Sequence, residues 1–154
     1  MKKKIILAFV AAVVIMQFIR PSLNQSEPIA AGDISKVMTV PQEVHTLLIS
    51  KCYDCHSNNT NYPWYAHIQP VGWFLNGHVV EGKEHLNFSV FNTYDAEKAA
   101  HKLEEVGEAF AEGWMPLDSY TMIHQDAKVT PADVQLITNW LSTQGVKEHK
   151  EEGE

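Results

Sequence analysis

The chain contains only two cysteines, and both lie in the stretch Cys52-Tyr53-Asp54-Cys55-His56. A CxxCH spacing is the attachment signature of c-type haem, in which two thiols add across the two vinyl groups of the macrocycle. The imidazole that follows then lies beneath the iron as an axial ligand, a role that histidine fills in many haem proteins. The motif therefore predicts one covalently bound haem c on Cys52 and Cys55, with His56 as the proximal ligand.

Two other kinds of site also use a CxxC pair. A thioredoxin-type dithiol is expected beside a βαβ pattern, and the sequence shows no such alternation. A zinc site needs further ligands at finger-like spacing, and the sequence contains no second CxxC and no HxxxH. Both alternatives stay open at this stage, and covalent haem is the favoured prediction.

The N-terminus carries a basic and apolar segment that predicts export. Lysines at positions 2–4 precede an apolar run from Ile5 to Ile19, which Arg20-Pro21 closes. The run is short for a bilayer crossing of about 20 residues and long for a signal-peptide core of about 7 to 15 residues. No small-x-small cleavage site follows closely, so we favour an uncleaved anchor over a signal peptide, with the domain on the periplasmic side of a bacterial envelope. A buried N-terminal helix is the alternative, and it would have to hide a uniformly apolar surface.

Composition divides the chain into four segments: a signal peptide or membrane anchor (1–20), a linker (21–39), a c-type haem-binding domain (40–145) and a charged tail (146–154). The linker is rich in Ser, Asn, Gln, Pro, Gly and Ala and is expected to be poorly ordered. Without residues 1–20 the net charge falls from −7 to −11. This acidity predicts redox partner proteins with basic patches and excludes nucleic acid, although acidity also commonly serves solubility.

Hydrophobic spacing predicts that the domain is all-α. Four helices are expected, and the clearest is the third, which has a continuous apolar face. They run from Thr39-Pro41 to the motif, from Pro70 to about Glu84, from Asp95 to Glu112 with Gly113 as its end, and from Thr130-Pro131 to Gly145. The second of these helices is weakened by three glycines.

Met115 is the predicted distal ligand of the iron. It is followed by Pro116 on a loop 59 residues after His56, and class I cytochromes c present their distal sulfur in a similar way. A thioether ligand favours ferrous iron and suits an electron carrier. The alternative is that Met115 is a flexible filler of the core.

Other side chains of the domain compete with Met115 for the sixth position. They are Met122, His67, His78, His85, His101 and His124. Of these, His101 is expected to face solvent, whereas His67 and His124 are candidates for a haem propionate or for the core. His45 is a poor candidate because His56 already holds the proximal side. A second histidine ligand would lower the potential, and an open site would bind small ligands or peroxide.

Several blocks of sequence resemble the bacterial haem-binding domain family, small exported proteins with one c-type motif. The resemblance covers residues from about Val40 to Gly145. It rests on residues 52–57, on Tyr62-Pro63-Trp64-Tyr65 with residues 68–73, on residues 82–89, and on Met115-Pro116-Leu117 with Tyr120 and His124. The resemblance implies covalent haem on Cys52 and Cys55 and proximal ligation by His56, and it leaves the reaction open.

Two functions from different classes follow from these residues. The first is a membrane-tethered monohaem electron carrier, which is not an enzyme and passes single electrons through an exposed haem edge. The second is a haem enzyme or sensor with an open sixth site, such as a peroxidase-like module. A haem-free dithiol protein is a third and weaker alternative. The Met115-Pro116 pair favours the carrier.

Overall fold

The computed structural model describes residues 1–146, and every regular element in this part of the chain is helical. The α-helices are α1 (Lys2–Met16), α2 (Ile34–Val37), α3 (Gln42–Lys51), α4 (Tyr53–His56), α5 (Val71–His85), α6 (Ala96–Glu112), α7 (Asp118–Thr121) and α8 (Pro131–Thr143). Single turns of 3-10 helix lie at Trp64–His67, Phe91–Thr93 and Gln125–Ala127. The predicted all-α class is confirmed. The predicted charged tail lies outside the described residues, apart from Val146.

The core lies where α3, α6 and α8 meet. Each helix buries an apolar stripe, because apolar residues recur at helical spacing along it. The stripes are Val44, Leu47 and Leu48 on α3, Leu103, Val106 and Phe110 on α6, and Ile137, Trp140 and Leu141 on α8. This packing fixes the C-terminal end of α3, from which the CxxCH motif continues.

Local signals fix the ends of the two long C-terminal helices as predicted. The Asp95 side chain accepts a hydrogen bond from the first turn of α6, and Gly113 ends this helix with a left-handed φ of 72°. Helix α8 begins with a capping box formed by Thr130 and Asp133. The start of α3 differs from the expected one, in which Thr39 is the cap and Pro41 lies in the first turn. Its N-cap is Pro41, which has no side-chain capping bond, and the Thr39 carbonyl instead accepts a hydrogen bond from the Trp140 indole at 3.1 Å.

Helix α5 is continuous although it contains three glycines. Two of them allow close approaches that a larger residue would block. A Cβ atom at Gly72 would clash with the Ala66 carbonyl oxygen, and one at Gly82 would lie 2.8 Å from the Cys55 carbonyl oxygen. The glycines thus let α5 pack directly on the turn before it and on the motif.

The segment predicted as a poorly ordered linker is packed on the domain in the structure. Asp33 and Ile34 are fully buried, and Ile34 begins the short helix α2. Further upstream, the Asn24 side chain donates hydrogen bonds to the Ser57 carbonyl at 2.8 Å and to Thr60 Oγ1 at 2.9 Å. The composition of 21–39 suggested a tether because it is polar, but the polar groups find partners in the domain.

Helix α1 lies on the outside of the molecule and buries none of its residues. The alternative of a buried N-terminal helix is therefore not observed. Just after α1, the Gln17 side chain exchanges two hydrogen bonds of 2.9 and 3.0 Å with the backbone of Gln69. Within residues 1–146, no helix has both the length and the apolar character needed to cross a membrane.

Candidate haem-binding site

The CxxCH motif forms one turn of helix that presents three chemical groups on one side. The backbone N–H groups of Cys55 and His56 both donate to the Cys52 carbonyl, at 3.2 and 2.9 Å. Residues three and four positions apart on a helical turn share a face. Cys52, Cys55 and His56 therefore lie on one face, and the two intervening residues lie on the others.

The two intervening residues fasten this turn to distant parts of the chain. The Tyr53 hydroxyl donates to the buried carboxylate of Asp33 at 2.9 Å, and its ring stacks on Phe88 with centroids 5.1 Å apart. The Asp54 carboxylate accepts a hydrogen bond from the Tyr120 hydroxyl at 2.6 Å. The motif is thereby held from both sides by contacts that involve neither its thiols nor its imidazole.

The orientation of the His56 ring is set by a backbone carbonyl. Nδ1 lies 3.0 Å from the Leu86 carbonyl oxygen, which can only accept, so Nδ1 carries the proton and Nε2 keeps its lone pair. Burial lowers the pKa of His56, although hydrogen bonding with the carbonyls of Leu86 and Gly82 partly opposes this shift. The imidazole is thus neutral, with its ring orientation fixed and the Nε2 lone pair available, and this is the form that binds a metal ion.

The pKa values of the two thiols are raised, whereas those of a reactive dithiol are lowered. Burial, followed by the proximity of Cys55, raises the pKa of Cys52 to about 12. Burial, followed by the Asp54 carboxylate, raises the pKa of Cys55 to about 11. Dithiols that exchange disulfides have lowered thiol pKa values. The environment of Cys52 and Cys55 therefore disfavours the dithiol alternative.

The comparison with protein families identifies the family of the chain and the class of its ligand. The haem-binding domain family matches residues 11–143, which is most of the chain. The chain belongs to this family. The match confirms the resemblance seen in the sequence and establishes haem as the ligand, and it begins well upstream of the predicted linker. Neither the curated proteins nor the solved structures provide a match.

An apolar surface beside the motif fits the haem that the family binds. Trp64, Met122 and Ile123 are 76%, 71% and 60% exposed. The segments that carry them are joined by a hydrogen bond of 2.6 Å between the Tyr65 hydroxyl and Nε2 of His124. Tyr120, in the second segment, donates to Asp54 of the motif, so this surface lies next to the attachment residues. Large exposed apolar side chains in one place mark a ligand or interaction surface.

A second observation also fits a haem. Nε2 of His78 on α5 is buried and has no hydrogen-bond partner in the described part of the chain. Buried polar atoms in folded proteins are normally paired, so an unpaired one points to a bound group. A haem bound near α5 would offer such a group. The residues present therefore fit haem on geometry as well as on sequence.

Met115 lies half-buried on the loop between α6 and α7. It lines a groove with side chains that include Phe110, Lys128 and Val134. The Lys51 ammonium donates a hydrogen bond of 2.6 Å to the Lys128 carbonyl, and Lys51 directly precedes Cys52. The groove is thus linked through Lys128 to the residue that precedes the attachment motif. Ligation of iron by Met115 stays a prediction.

The rival ligands have different surroundings. His101 is exposed and lies 3.2 Å from Glu105, in agreement with its predicted surface position. His67 and His85 are exposed. Nε2 of His124 is hydrogen-bonded to the Tyr65 hydroxyl, and its ring stacks on the Tyr120 ring with centroids 4.3 Å apart. Among these rivals, His78 alone has a ring nitrogen that is buried and unpaired in residues 1–146.

Two polar residues of the site were missed by sequence reasoning. Asn24 contacts the loop that follows His56, and Asp33 holds Tyr53. Both lie in the polar stretch that composition assigned to a linker. The only local signal was at Asp33, which precedes an apolar residue and caps α2 by accepting from Ser35.

Proposed function

We propose that this chain is an exported c-type monohaem protein that carries single electrons between partners in the bacterial cell envelope. Cys52 and Cys55 hold the haem through thioether bonds, His56 is the proximal ligand, and Met115 is the distal ligand. The observation that carries the proposal is the bond from His56 Nδ1 to the Leu86 carbonyl, because it leaves Nε2 free on the face that also bears both thiols. The haem, when bound, supplies a one-electron iron couple.

The protein residues have separate tasks in this proposal. The Leu86 carbonyl fixes the tautomer and the aim of the His56 imidazole. Tyr53 and Asp54 hold the attachment turn rigid through Asp33 and Tyr120. A rigid site keeps the rearrangement on electron transfer small, which suits a carrier. The Met115 thioether favours ferrous iron and so raises the potential.

The charge and the N-terminal segment support the proposed location. The part of the chain after residue 20 has a net charge of −11, which favours redox partners with basic patches and disfavours nucleic acid. Helix α1 begins with three lysines and continues with exposed apolar residues, as expected for a signal peptide or a membrane anchor on the periplasmic route. Covalent haem attachment outside the cytoplasm agrees with this route.

The spectrum of the oxidised and reduced protein tests the proposal. Protein produced together with a cytochrome c maturation system should keep its pigment in acidified organic solvent. The oxidised form should show a low-spin spectrum with a sulfur-to-iron band. Protein that is colourless, or that releases its haem into the solvent, would contradict covalent attachment.

Two variants test the axial ligands. Replacing Met115 by alanine should remove the sulfur band and allow carbon monoxide or cyanide to bind, whereas Met38→Ala should leave the spectrum unchanged because Met38 lines a separate groove beside α6. Replacing His56 by alanine should abolish stable haem incorporation, with the surface variant His101→Ala as its control. An unchanged spectrum in Met115→Ala would move the distal ligand elsewhere.

A haem enzyme or sensor with an open sixth site is the second candidate. It is favoured by the paired polar groups beside the motif, Tyr65 with His124 and Tyr120 with Asp54, which have the chemistry of proton donors and acceptors. Rapid binding of carbon monoxide by the unaltered ferrous protein would support this candidate. A closed six-coordinate iron would support the carrier.

A further inference from the structure

The C-terminal half of α5 lies directly behind the attachment motif. A Cβ atom on Gly82 would lie 2.8 Å from the Cys55 carbonyl oxygen, so this face of the helix touches the motif. The Leu86 carbonyl, one residue beyond the helix, faces Nδ1 of His56 at 3.0 Å. The end of α5 is therefore on the side of the imidazole that points away from Nε2.

His78 lies on the same face of α5 as Gly82, because residues four positions apart in a helix share a face. It is one turn, or about 6 Å, closer to the N-terminus of the helix. The Phe74 ring meets the imidazole edge to face, with centroids 4.4 Å apart and an angle of 88°. The imidazole is thus positioned by packing, while its Nε2 is buried and unpaired within residues 1–146.

A buried ring nitrogen without a partner loses its hydration and gains nothing in return. A group absent from the polypeptide would remove this cost. The haem attached next to Gly82 is the group that the site supplies. The remaining question is which part of the haem faces His78.

The iron is disfavoured as the partner of His78 by the position of α5. Axial ligands lie on opposite faces of a porphyrin, and α5 supports His56 from behind. A side chain of α5 would therefore lie on the His56 face of a bound haem, where His56 would already hold the axial position. The hydrogen-bond acceptors of a haem are the two propionate carboxylates at its rim.

We propose that Nε2 of His78 donates a hydrogen bond to a haem propionate. This inference rests on the proposed function, because covalent attachment at Cys52 and Cys55 is what fixes the porphyrin relative to α5. A bond from an imidazole N–H to a carboxylate is charge-assisted and geometrically selective. Such a bond partly neutralises the negative charge of the propionate, which stabilises ferric iron, and so favours the ferrous state.

The test compares His78→Ala with the control His101→Ala, which removes an exposed histidine that lies beside Glu105 on α6. Three properties are measured on matured protein: the yield of covalent haem, the absorption spectrum, and the propionate bending bands in the resonance Raman spectrum. His78→Ala should keep the wild-type haem yield and coordination state, and its propionate band should shift. Loss of one such hydrogen bond should also move the ferrous-to-ferric equilibrium about fivefold toward ferric iron. The control should match wild type in all of these.

Each other outcome overturns the proposal in a recognisable way. A change to high-spin iron in His78→Ala would make His78 an iron ligand. Wild-type Raman bands and a wild-type redox equilibrium would show that His78 does not contact the haem. If the alanine variant fails to fold, His78→Gln decides, because it keeps a side-chain N–H: a propionate band close to that of wild type supports the bond, and a shifted band refutes it. Absence of covalent haem from the unaltered protein would refute the proposed function as well, and the wild-type yield reports this separately.

Discussion

Replacing Asn24 by alanine should destabilise the haem domain, although Asn24 precedes the predicted domain boundary. The Asn24 amide donates to the Ser57 carbonyl and to Thr60 Oγ1 at 2.8 and 2.9 Å. Its carbonyl oxygen accepts from the Lys83 ammonium at 2.6 Å. These three bonds join the N-terminal segment, the loop after His56 and helix α5. Alanine removes all three and keeps the backbone bonds.

The expected loss is set by these three hydrogen bonds. A neutral hydrogen bond contributes about 1 kcal/mol, and one to a charged group contributes somewhat more. Burial lowers the pKa of Lys83, so its ammonium is partly desolvated and depends on its partner. Since water reaches this group, the gain from its charge is reduced. We expect a loss of about 2–4 kcal/mol in the free energy of unfolding, which lowers the Tm of a chain of this size by about 6–12 °C.

Thermal and urea unfolding, followed by circular dichroism on matured protein, measure this loss. Gln25→Ala is the matched control, because Gln25 is the exposed neighbour and should change stability by less than about 0.5 kcal/mol. Lys83→Met should reproduce only part of the Asn24→Ala effect. If Asn24→Ala unfolds at the same temperature as Gln25→Ala, the upstream segment is a plain tether and the reasoning from its contacts is wrong.

Three further substitutions test α5 and the acid response. Gly82→Ala should lower the yield of covalent haem and destabilise the fold by about 1–3 kcal/mol, because its Cβ would press on Cys55; Gly77→Ala, in open space, should stabilise α5 by about 0.5–1 kcal/mol. Partial burial raises the pKa of Asp133, but hydrogen bonds with Thr130 and the Lys51 charge outweigh it and hold the pKa below its ordinary value. The ionised Asp133 carboxylate therefore stabilises the fold above about pH 4, and this stabilisation is lost as the pH falls further. Asp133→Asn should remove this pH-dependent loss of stability, measured by urea unfolding between pH 3 and 7.

Local patterns were enough to predict the helices whose ends and apolar faces are coded nearby. Helix α6 has an acidic N-cap, a continuous apolar stripe and a C-terminal glycine, and all three act within a few residues. The attachment turn is equally local, since two thiols and an imidazole within five residues define it. For the same reason the start of α8 at Thr130 follows from its capping residues.

Contacts between distant residues were not predictable in this way. Asp33 is polar and lies in a polar stretch, yet it is fully buried because Tyr53, twenty positions away, donates to it. Asn24 resembles any linker residue until its partners in the loop after His56 are known. No periodicity encodes such pairs, so composition assigned both residues to a tether. Met115 is the reverse case, because the sequence suggests a specific role for it. Its residue type and spacing suggest a ligand, whereas its neighbours on α6 and α8 would suit a core residue equally well.

Asp54, the second residue between the two cysteines, offers a test of how far the C-terminal half of the chain supports the candidate haem site through Tyr120. Burial, followed by the hydrogen bond to Asp54, raises the pKa of Tyr120, so its hydroxyl stays protonated and donates. Tyr120→Phe removes the bond of 2.6 Å to Asp54 and keeps the stacking on His124. Because both groups are half-buried and water weakens the charge, we expect a loss of about 1–2 kcal/mol.

A double-mutant cycle with Asp54→Asn isolates this contact from the rest of the ring cluster. Urea unfolding of the two single variants and of the double variant should give a coupling free energy of about 1 kcal/mol or more. Tyr65→Phe serves as the control, since it breaks the bond to His124 and leaves Asp54 paired. If the two substitutions are additive, Tyr120 does not hold the motif. In that case the attachment turn would be oriented by its other contacts, which include the bond from Tyr53 to Asp33 and the stacking of Tyr53 on Phe88.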